Sequence, residues 1–208
     1  MILTSTDFDN GAQIPERLAF CKPDPKTNVG LSSNCNPHLK WADTPNEVQS
    51  YAVLCCDPDV PSRPDDVNQT GKTVPASLPR IDFYHWVLVD IPASVSEITP
   101  ASHSSKVTPC GKSADDAPSD MRHGINDYTQ WFAGDKDMAG EYFGYDGPCP
   151  PWNDSIVHHY HFTVYALDIE SLPVSGSFTG QEVVEAMQGH VLDQASVVGT
   201  YALNPDLQ

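Results

Sequence analysis

Three apolar runs of strand length constrain this chain more than any other feature. They are Tyr51–Cys56 (YAVLCC), Phe83–Ile91 (FYHWVLVDI) and His158–Leu167 (HHYHFTVYAL). The first is unbroken, too short for a typical helix, and suits a strand buried on both faces. Asp57-Pro58 is expected to end it, because proline cannot donate to a central ladder. The second is rich in aromatic and β-branched residues and is the clearest strand. Alternation puts His85, Val87 and Val89 on one of its faces and Tyr84, Trp86 and Leu88 on the other. The third places His158, Tyr160, Phe162 and Val164 on one face. Each run also delivers polar groups that a plain core strand would not carry: Asp57 and Asp59, then His85, then His158 and Tyr160. The central expectation is that these groups meet at one end of a β-sheet and line a small anion-binding pocket.

The rest of the chain is rich in loops, with 19 prolines and 13 glycines in 208 residues. Ile2–Thr4 is expected as a short strand, and Leu39 and Trp41, two apart, mark another. Cys21–Asn36 reads as a polar surface excursion, Ser94–Ile98 as a turn of helix, and His103–Asp120 as a long loop of the kind that is usually functional or mobile. Thr179-Gly-Gln-Glu182 is a capping box, so a helix is predicted from about Gly180 to His190. Val197–Leu203 reads as the last strand. The length fits one domain, 1–208.

Charge and cysteines narrow the function classes. Asp and Glu number 28 against 11 Lys and Arg, a formal charge of −17. That argues against non-specific binding to nucleic acid or anionic lipid surfaces, which need a basic face. No run of 18 apolar residues offers a membrane span. The N-terminus lacks the basic start and apolar stretch of a leader, so a cytoplasmic location is expected. Neighbouring Cys55 and Cys56 read as buried thiols on opposite sheet faces. Cys21 with Cys35 is the expected bridge in an oxidising compartment, and no C-x-x-C supports a zinc ribbon.

The candidate anion site is Asp57, Asp59, His85, Gly147, Pro148, Pro150, Pro151, His158 and Tyr160, with no metal and no cofactor. Imidazole and phenol are donors with little conformational freedom. A neighbouring aspartate raises a histidine's pKa and makes its charged form available near neutrality. Asp57 would then hold a histidine rather than touch the anion. The Gly147–Pro151 turn leaves backbone donors fixed and approachable. Taken singly, each His or Tyr on a strand face reads more readily as a core side chain whose polar tip finds a backbone partner.

The sharpest rival is a divalent ion on His159 and His161 with a carboxylate, although no second ligand pair matches it. A hydrolase or lyase using His85 or His158 as general acid–base is the alternative enzymatic reading. Ser62 beside Arg63 reads as loop, and G-x-S-x-G, P-loop and G-x-G-x-x-G motifs are all absent. His103, His123 and His190 read as surface or satisfied histidines. Trp131 and Trp152 read as cover for the core, with Trp152 close enough to the turn to flank a ligand.

The sequence resembles the phosphatidylethanolamine-binding protein (PEBP) family, the Raf-kinase-inhibitor-like proteins, and looks closest to its prokaryotic branch. The resemblance rests on DPDVPSR (Asp57–Arg63), FYHWVLVDIP (Phe83–Pro92), YDGPCPP (Tyr145–Pro151) and HHYHFTVYALD (His158–Asp168). The opening LTSTDFDNG and the tail GHVLDQASVVGTY (Gly189–Tyr201) extend it over nearly the whole chain. It implies a mainly β fold: an antiparallel β-sandwich of one large and one small sheet with Greek-key connections and a few peripheral helices. It implies a pocket for phosphate or phosphorylated head groups on the residues named above. It further implies a non-enzymatic regulatory or kinase-inhibitor-like role, with a protein kinase among the partners, and pairing as homodimers. His159 stands where the family often has arginine, and the loops after Arg63 and over 103–120 are larger than the family pattern.

Overall fold

The computed structural model describes residues 1–118 and 120–207; Ser119, in the predicted 103–120 loop, and Gln208 lie outside the described residues. Ten strands dominate: β1 (Ile2–Thr4), β2 (Cys21–Asp24), β3 (Asn28–Leu31), β4 (Leu39–Ala42), β5 (Ser50–Pro61), β6 (Arg80–Pro92), β7 (Glu97–Ile98), β8 (Arg122–His123), β9 (His158–Leu167) and β10 (Val191–Tyr201). They form a five-stranded antiparallel sheet of order β10-β9-β5-β6-β8, a three-stranded sheet β1-β4-β7, and the ribbon β2-β3. Among the described residues there are also two short α-helices, α1 (Tyr128–Trp131) and α2 (Gly180–Ala186), and three single-turn 3-10 helices.

The main core lies on one face of the large sheet. Val53 and Cys55 of β5, Trp86 and Leu88 of β6, and Phe162 and Val164 of β9 pack there with Leu39 and Trp41 of the small sheet. Each large apolar side chain withdrawn from water contributes roughly 1.5–3 kcal/mol. A second, smaller core covers the opposite face, where Val183 and Met187 of the α2 segment meet Ala52, Leu54, Val87 and Val89. The central strand β5 is thus buried on both faces, which is why its sequence shows no alternation. Cys55 lies in the main core, and Cys56 is half-buried on the other face.

The long strands are bulged, and the bulges correct the alternation read from sequence. Cys55 pairs with Trp86 but Cys56 pairs with Tyr84, so His85 is an extra residue in β6. The bulge turns His85 onto the same side as Trp86, against Tyr128 and Tyr160, and away from Val87 and Val89. A further irregularity between Asp57 and Val60 lets β5 continue through Pro58 to Pro61. Proline is tolerated at a bulge, so Asp57-Pro58 does not end the strand.

Other boundaries also move. Ser94–Ile98 contributes β7 rather than a turn of helix. The α2 capping box forms as predicted, with Thr179 and Glu182 bonded reciprocally, but the helix stops at Ala186. The last strand begins six residues earlier than predicted, at Val191. Cys21 is bridged to Cys149, not to Cys35. Phe20 and Cys21 both donate backbone N–H bonds to Pro148 O, at 3.0 and 3.1 Å, which brings the start of β2 against the Cys149 turn. No helix among the described residues is long and apolar enough to cross a membrane.

Candidate functional site

At one end of the large sheet a cavity of about 40 Å³ opens between β5, β6, β9, α1 and the 147–151 turn. Asp57, His85, His158 and Tyr160 form its polar side. Phe83, Trp131 and the Pro150-Pro151 pair form its apolar wall, and Asn68 comes from the loop after β5. Three segments distant in sequence therefore place their imidazoles and phenol at one hollow.

His158 is fully buried and held at both ring nitrogens. Nδ1 is 2.7 Å from Asp57 Oδ2, and Nε2 is 3.1 Å from Asp154 Oδ2. Arg80 closes the array with two bonds to Asp154, at 2.6 and 3.0 Å. Burial alone would discharge His158, but the bonds from Asp154 and Asp57 outweigh it and raise its pKa to about 9. Burial likewise opposes ionisation of Asp154, yet His158 and Arg80 hold that carboxyl below the usual range. At neutral pH the array is a chain of alternating charges, Arg80⁺, Asp154⁻, His158⁺ and Asp57⁻. Both N–H groups of the imidazolium are spent on carboxylates, so neither is free for a ligand. Asp57 is anchored at its other oxygen by the Asp59 N–H, at 2.8 Å.

His85 is the opposite case. Its Nδ1 is 2.8 Å from Asp146 O, and a carbonyl only accepts, so Nδ1 carries the proton. Burial holds its pKa below the ordinary value, and nearby Asp57 only partly offsets that. The ring is neutral, and its Nε2 is an acceptor. Tyr160 is fully buried, and its hydroxyl has the Asp57 carboxylate as its neighbouring acceptor without closing a hydrogen bond of normal geometry to it. Burial first, and then the Asp57 charge, push its pKa far up, so the phenol stays protonated and available as a donor.

The turn that completes the cavity hangs on Asp146, a fully buried carboxylate. It accepts from Asn34 Nδ2 at 2.7 Å, Lys112 Nζ at 2.7 Å and Asn126 Nδ2 at 2.8 Å. Burial raises its pKa, against the pull of Lys112. Gly147 follows with its N–H on Asn34 Oδ1 at 2.8 Å and its carbonyl on Tyr128 Oη at 2.8 Å. A Cβ at Gly147 would stand 2.0 Å from Leu18 O, which explains glycine there. Cys149, cross-linked to Cys21, forms part of the cavity wall.

Of the nine predicted site residues, Asp57, His85, Pro150, Pro151, His158 and Tyr160 face the cavity. Gly147 and Pro148 support the turn from behind. Asp59 points elsewhere and accepts from the backbone N–H and Nδ1 of half-exposed His159, at 2.9 and 2.8 Å. Trp131 stands half-exposed at the mouth rather than covering the core. Trp152 packs against the core edge.

Sequence reasoning missed Arg80, Lys112, Asn34, Asn126, Asp146 and Asp154. Asp154, four residues before His158, was the most findable. No three His, Cys, Asp or Glu side chains converge at metal-binding spacing among the described residues. Of the two readings open for His103 and His123, surface or satisfied, the structure shows the buried, hydrogen-bonded one, with His123 Nδ1 alone lacking a partner among the described residues. They form a buried pair with Nδ1 of the first 2.9 Å from Nε2 of the second, and burial pushes their pKa values down to about 4 and about 3.

Comparison with known proteins agrees with this architecture. Residues 4–202 match the family described as Phosphatidylethanolamine-binding protein. A UPF0098 protein of Methanothermobacter thermautotrophicus is 32% identical over 201 residues, covering 97% of this chain and 98% of the relative. The UPF0098 protein YbhB of Escherichia coli is 29% identical over 203 residues, covering 97% and 100%. The crystal structure of E. coli YbcL, described as a new member of the mammalian PEBP family, superposes with a TM-score of 0.67 at 26% identity over 96% of each chain.

Proposed function

The chain belongs to the phosphatidylethanolamine-binding protein family, and we propose that it binds a small phosphate-like oxyanion, free or as a head group, in a regulatory rather than a catalytic role. The observation that carries the reading is the buried Tyr160 hydroxyl, which closes no hydrogen bond of normal geometry and is set in a cavity beside a charge array that fixes Asp57. An orphaned buried polar group costs about 1–3 kcal/mol, and a ligand that bonds to it recovers that cost. A cavity of about 40 Å³ is a few times the roughly 10–15 Å³ one water needs, which suits a phosphoryl group and not a whole lipid. Asn68 and Trp131 also line the cavity. Among the described residues no serine, threonine or free cysteine lines the cavity, which favours binding over nucleophilic catalysis.

The test is calorimetric titration of wild type and Tyr160→Phe with inorganic phosphate and phosphorylethanolamine. Saturable one-to-one binding, weakened about tenfold in the variant, is expected. No saturable heat at millimolar ligand, or equal binding by both proteins, refutes the reading. One observation favours a second reading: neutral His85 is competent as a general base, and a hydrolase would use it on a water in the cavity. A screen of phosphate and carboxylate esters decides this, since turnover that disappears in His85→Gln would favour the hydrolase.

A further inference from the structure

The cavity presents more acceptors than donors to an anion. Asp57 fills one position on each oxygen, with the Asp59 N–H and His158 Nδ1–H, and keeps acceptor capacity on both. His85 has committed its only proton to Asp146 O, so Nε2 offers a lone pair. His158 has no free N–H, because Asp57 and Asp154 take both. The Tyr128 hydroxyl is given to Gly147 O. Deep in the cavity that leaves the Tyr160 hydroxyl as the one side-chain donor among the described residues not committed in a bond of normal geometry, and it too stands beside Asp57.

A fully deprotonated oxyanion placed there would set its lone pairs against those of Asp57 and His85. Unrelieved contact of that kind in a dry site is strongly unfavourable. An oxyacid that keeps one proton converts the clash into a hydrogen bond to an ionised acceptor, one of the stronger kinds.

We propose that the pocket selects oxyacids that still carry a proton, such as hydrogen phosphate or a phosphomonoester monoanion, with the ligand O–H donated to Asp57 or His85 Nε2, and rejects oxyanions that carry none, such as sulfate. This rests on the oxyanion reading of the pocket and adds a rule of selection to it. The proton balance is explicit. A phosphomonoester has its second pKa at about 6, so above that pH the free dianion takes one proton from solvent as it binds. The groups facing the ligand position are Asp57 from β5, His85 from β6, His158 and Tyr160 from β9, and Tyr128 from α1. The Asp146 carboxylate behind His85 is already engaged by Lys112.

The experiment is calorimetry on the full chain with inorganic phosphate, methyl phosphate and sulfate, between pH 5.5 and 8, in two buffers of different ionisation heat. Inorganic phosphate is expected to bind at least tenfold more tightly than sulfate at pH 7. Methyl phosphate is expected to weaken about tenfold per pH unit above about 6.5, taking up close to one proton per molecule bound at pH 7.5. Asp57→Asn, whose amide supplies a donor, is expected to narrow the phosphate–sulfate gap. If that variant fails to fold, the wild-type proton count decides alone. Equal affinity for phosphate and sulfate without proton uptake overturns the proposal and leaves the oxyanion pocket standing. So does sulfate binding with uptake of a proton, which would place the proton on the protein. Failure of every oxyanion to bind overturns the pocket reading and this proposal together.

Discussion

The charge array around His158 makes stability depend on pH, and Asp154→Asn tests it. In the unfolded chain His158 titrates near the ordinary 6.5, and in the folded protein near 9. A group whose folded pKa is raised contributes stability that is fully present below the unfolded value and is lost as pH rises through the folded one. Between pH 6.5 and 9 the folded state holds a proton that the unfolded state has released. At 1.36 kcal/mol per pH unit the loss across that window is roughly 3 kcal/mol. The acid limb has the opposite sign. Asp154 is depressed in the fold, so its contribution is present above the usual carboxylate range and is lost as pH falls through its lowered value.

In Asp154→Asn the imidazolium loses the carboxylate on Nε2, and Arg80 loses its partner. Removing one member of a buried pair costs about 3–5 kcal/mol, with the amide oxygen recovering part of it. Urea unfolding at pH 6.5, 7.5, 8.5 and 9 should show a falling free energy in wild type and a much flatter profile in the variant. NMR titration of the His158 ring should place its pKa well below 9 in the variant. Comparing the two proteins cancels the other groups that titrate in this range. A flat wild-type profile, or the same slope in both proteins, would refute the assignment of the charge to His158.

Four further outcomes follow from the packing. Tyr160→Phe removes an unsatisfied buried hydroxyl and should leave stability unchanged or raise it by up to about 1 kcal/mol, read by urea unfolding; a loss above that would mean the hydroxyl is bonded. Gly147→Ala drives a methyl into Leu18 O and should cost more than about 2 kcal/mol, visible as a drop in Tm. Lys112→Met strips the buried Asp146 of its cation and should cost about 3 kcal/mol, with hydrogen exchange rising at Gly147 and Cys149 if Asp146 holds the turn. Cys149→Ser opens a cross-link spanning 128 residues and should cost about 2–5 kcal/mol; equal Tm with and without reductant in wild type would argue that the bridge does not form.

Three of the four long strands, β5, β6 and β9, were legible because burial on both faces, or strict alternation, left an apolar signature such as Tyr51–Cys56 and His158–Leu167. The convergence of Asp57, His85, His158 and Tyr160 followed from that reading and from the family resemblance. What stayed hidden was set by pairing and not by composition. Alternation puts His85 on the wrong face because a bulge inserts it into β6, and a bulge changes side-chain parity without any marker in the local sequence. Asp146 is hidden within a motif dominated by its glycine and prolines, since its partners Asn34, Lys112 and Asn126 lie 20 or more residues away. The Cys21–Cys149 bridge joins residues 128 apart, and spacing carries no information at that range.

The bulge and the charge array solve one problem together. With ideal pairing His85 would sit with Val87 and Val89 beneath α2, and the cavity would hold no neutral imidazole. The extra residue interrupts the ladder and sets the ring against Tyr160 instead. Asp57 then stands in the same hollow, and a buried carboxylate needs a countercharge. His158, itself held charged by Asp154 and Arg80, supplies the countercharge that keeps Asp57 an acceptor. On this view His158 acts on the pocket through Asp57 and offers no free N–H of its own to what binds there. The ionised acceptor, not a cationic donor, becomes the feature of the cavity that a ligand has to match.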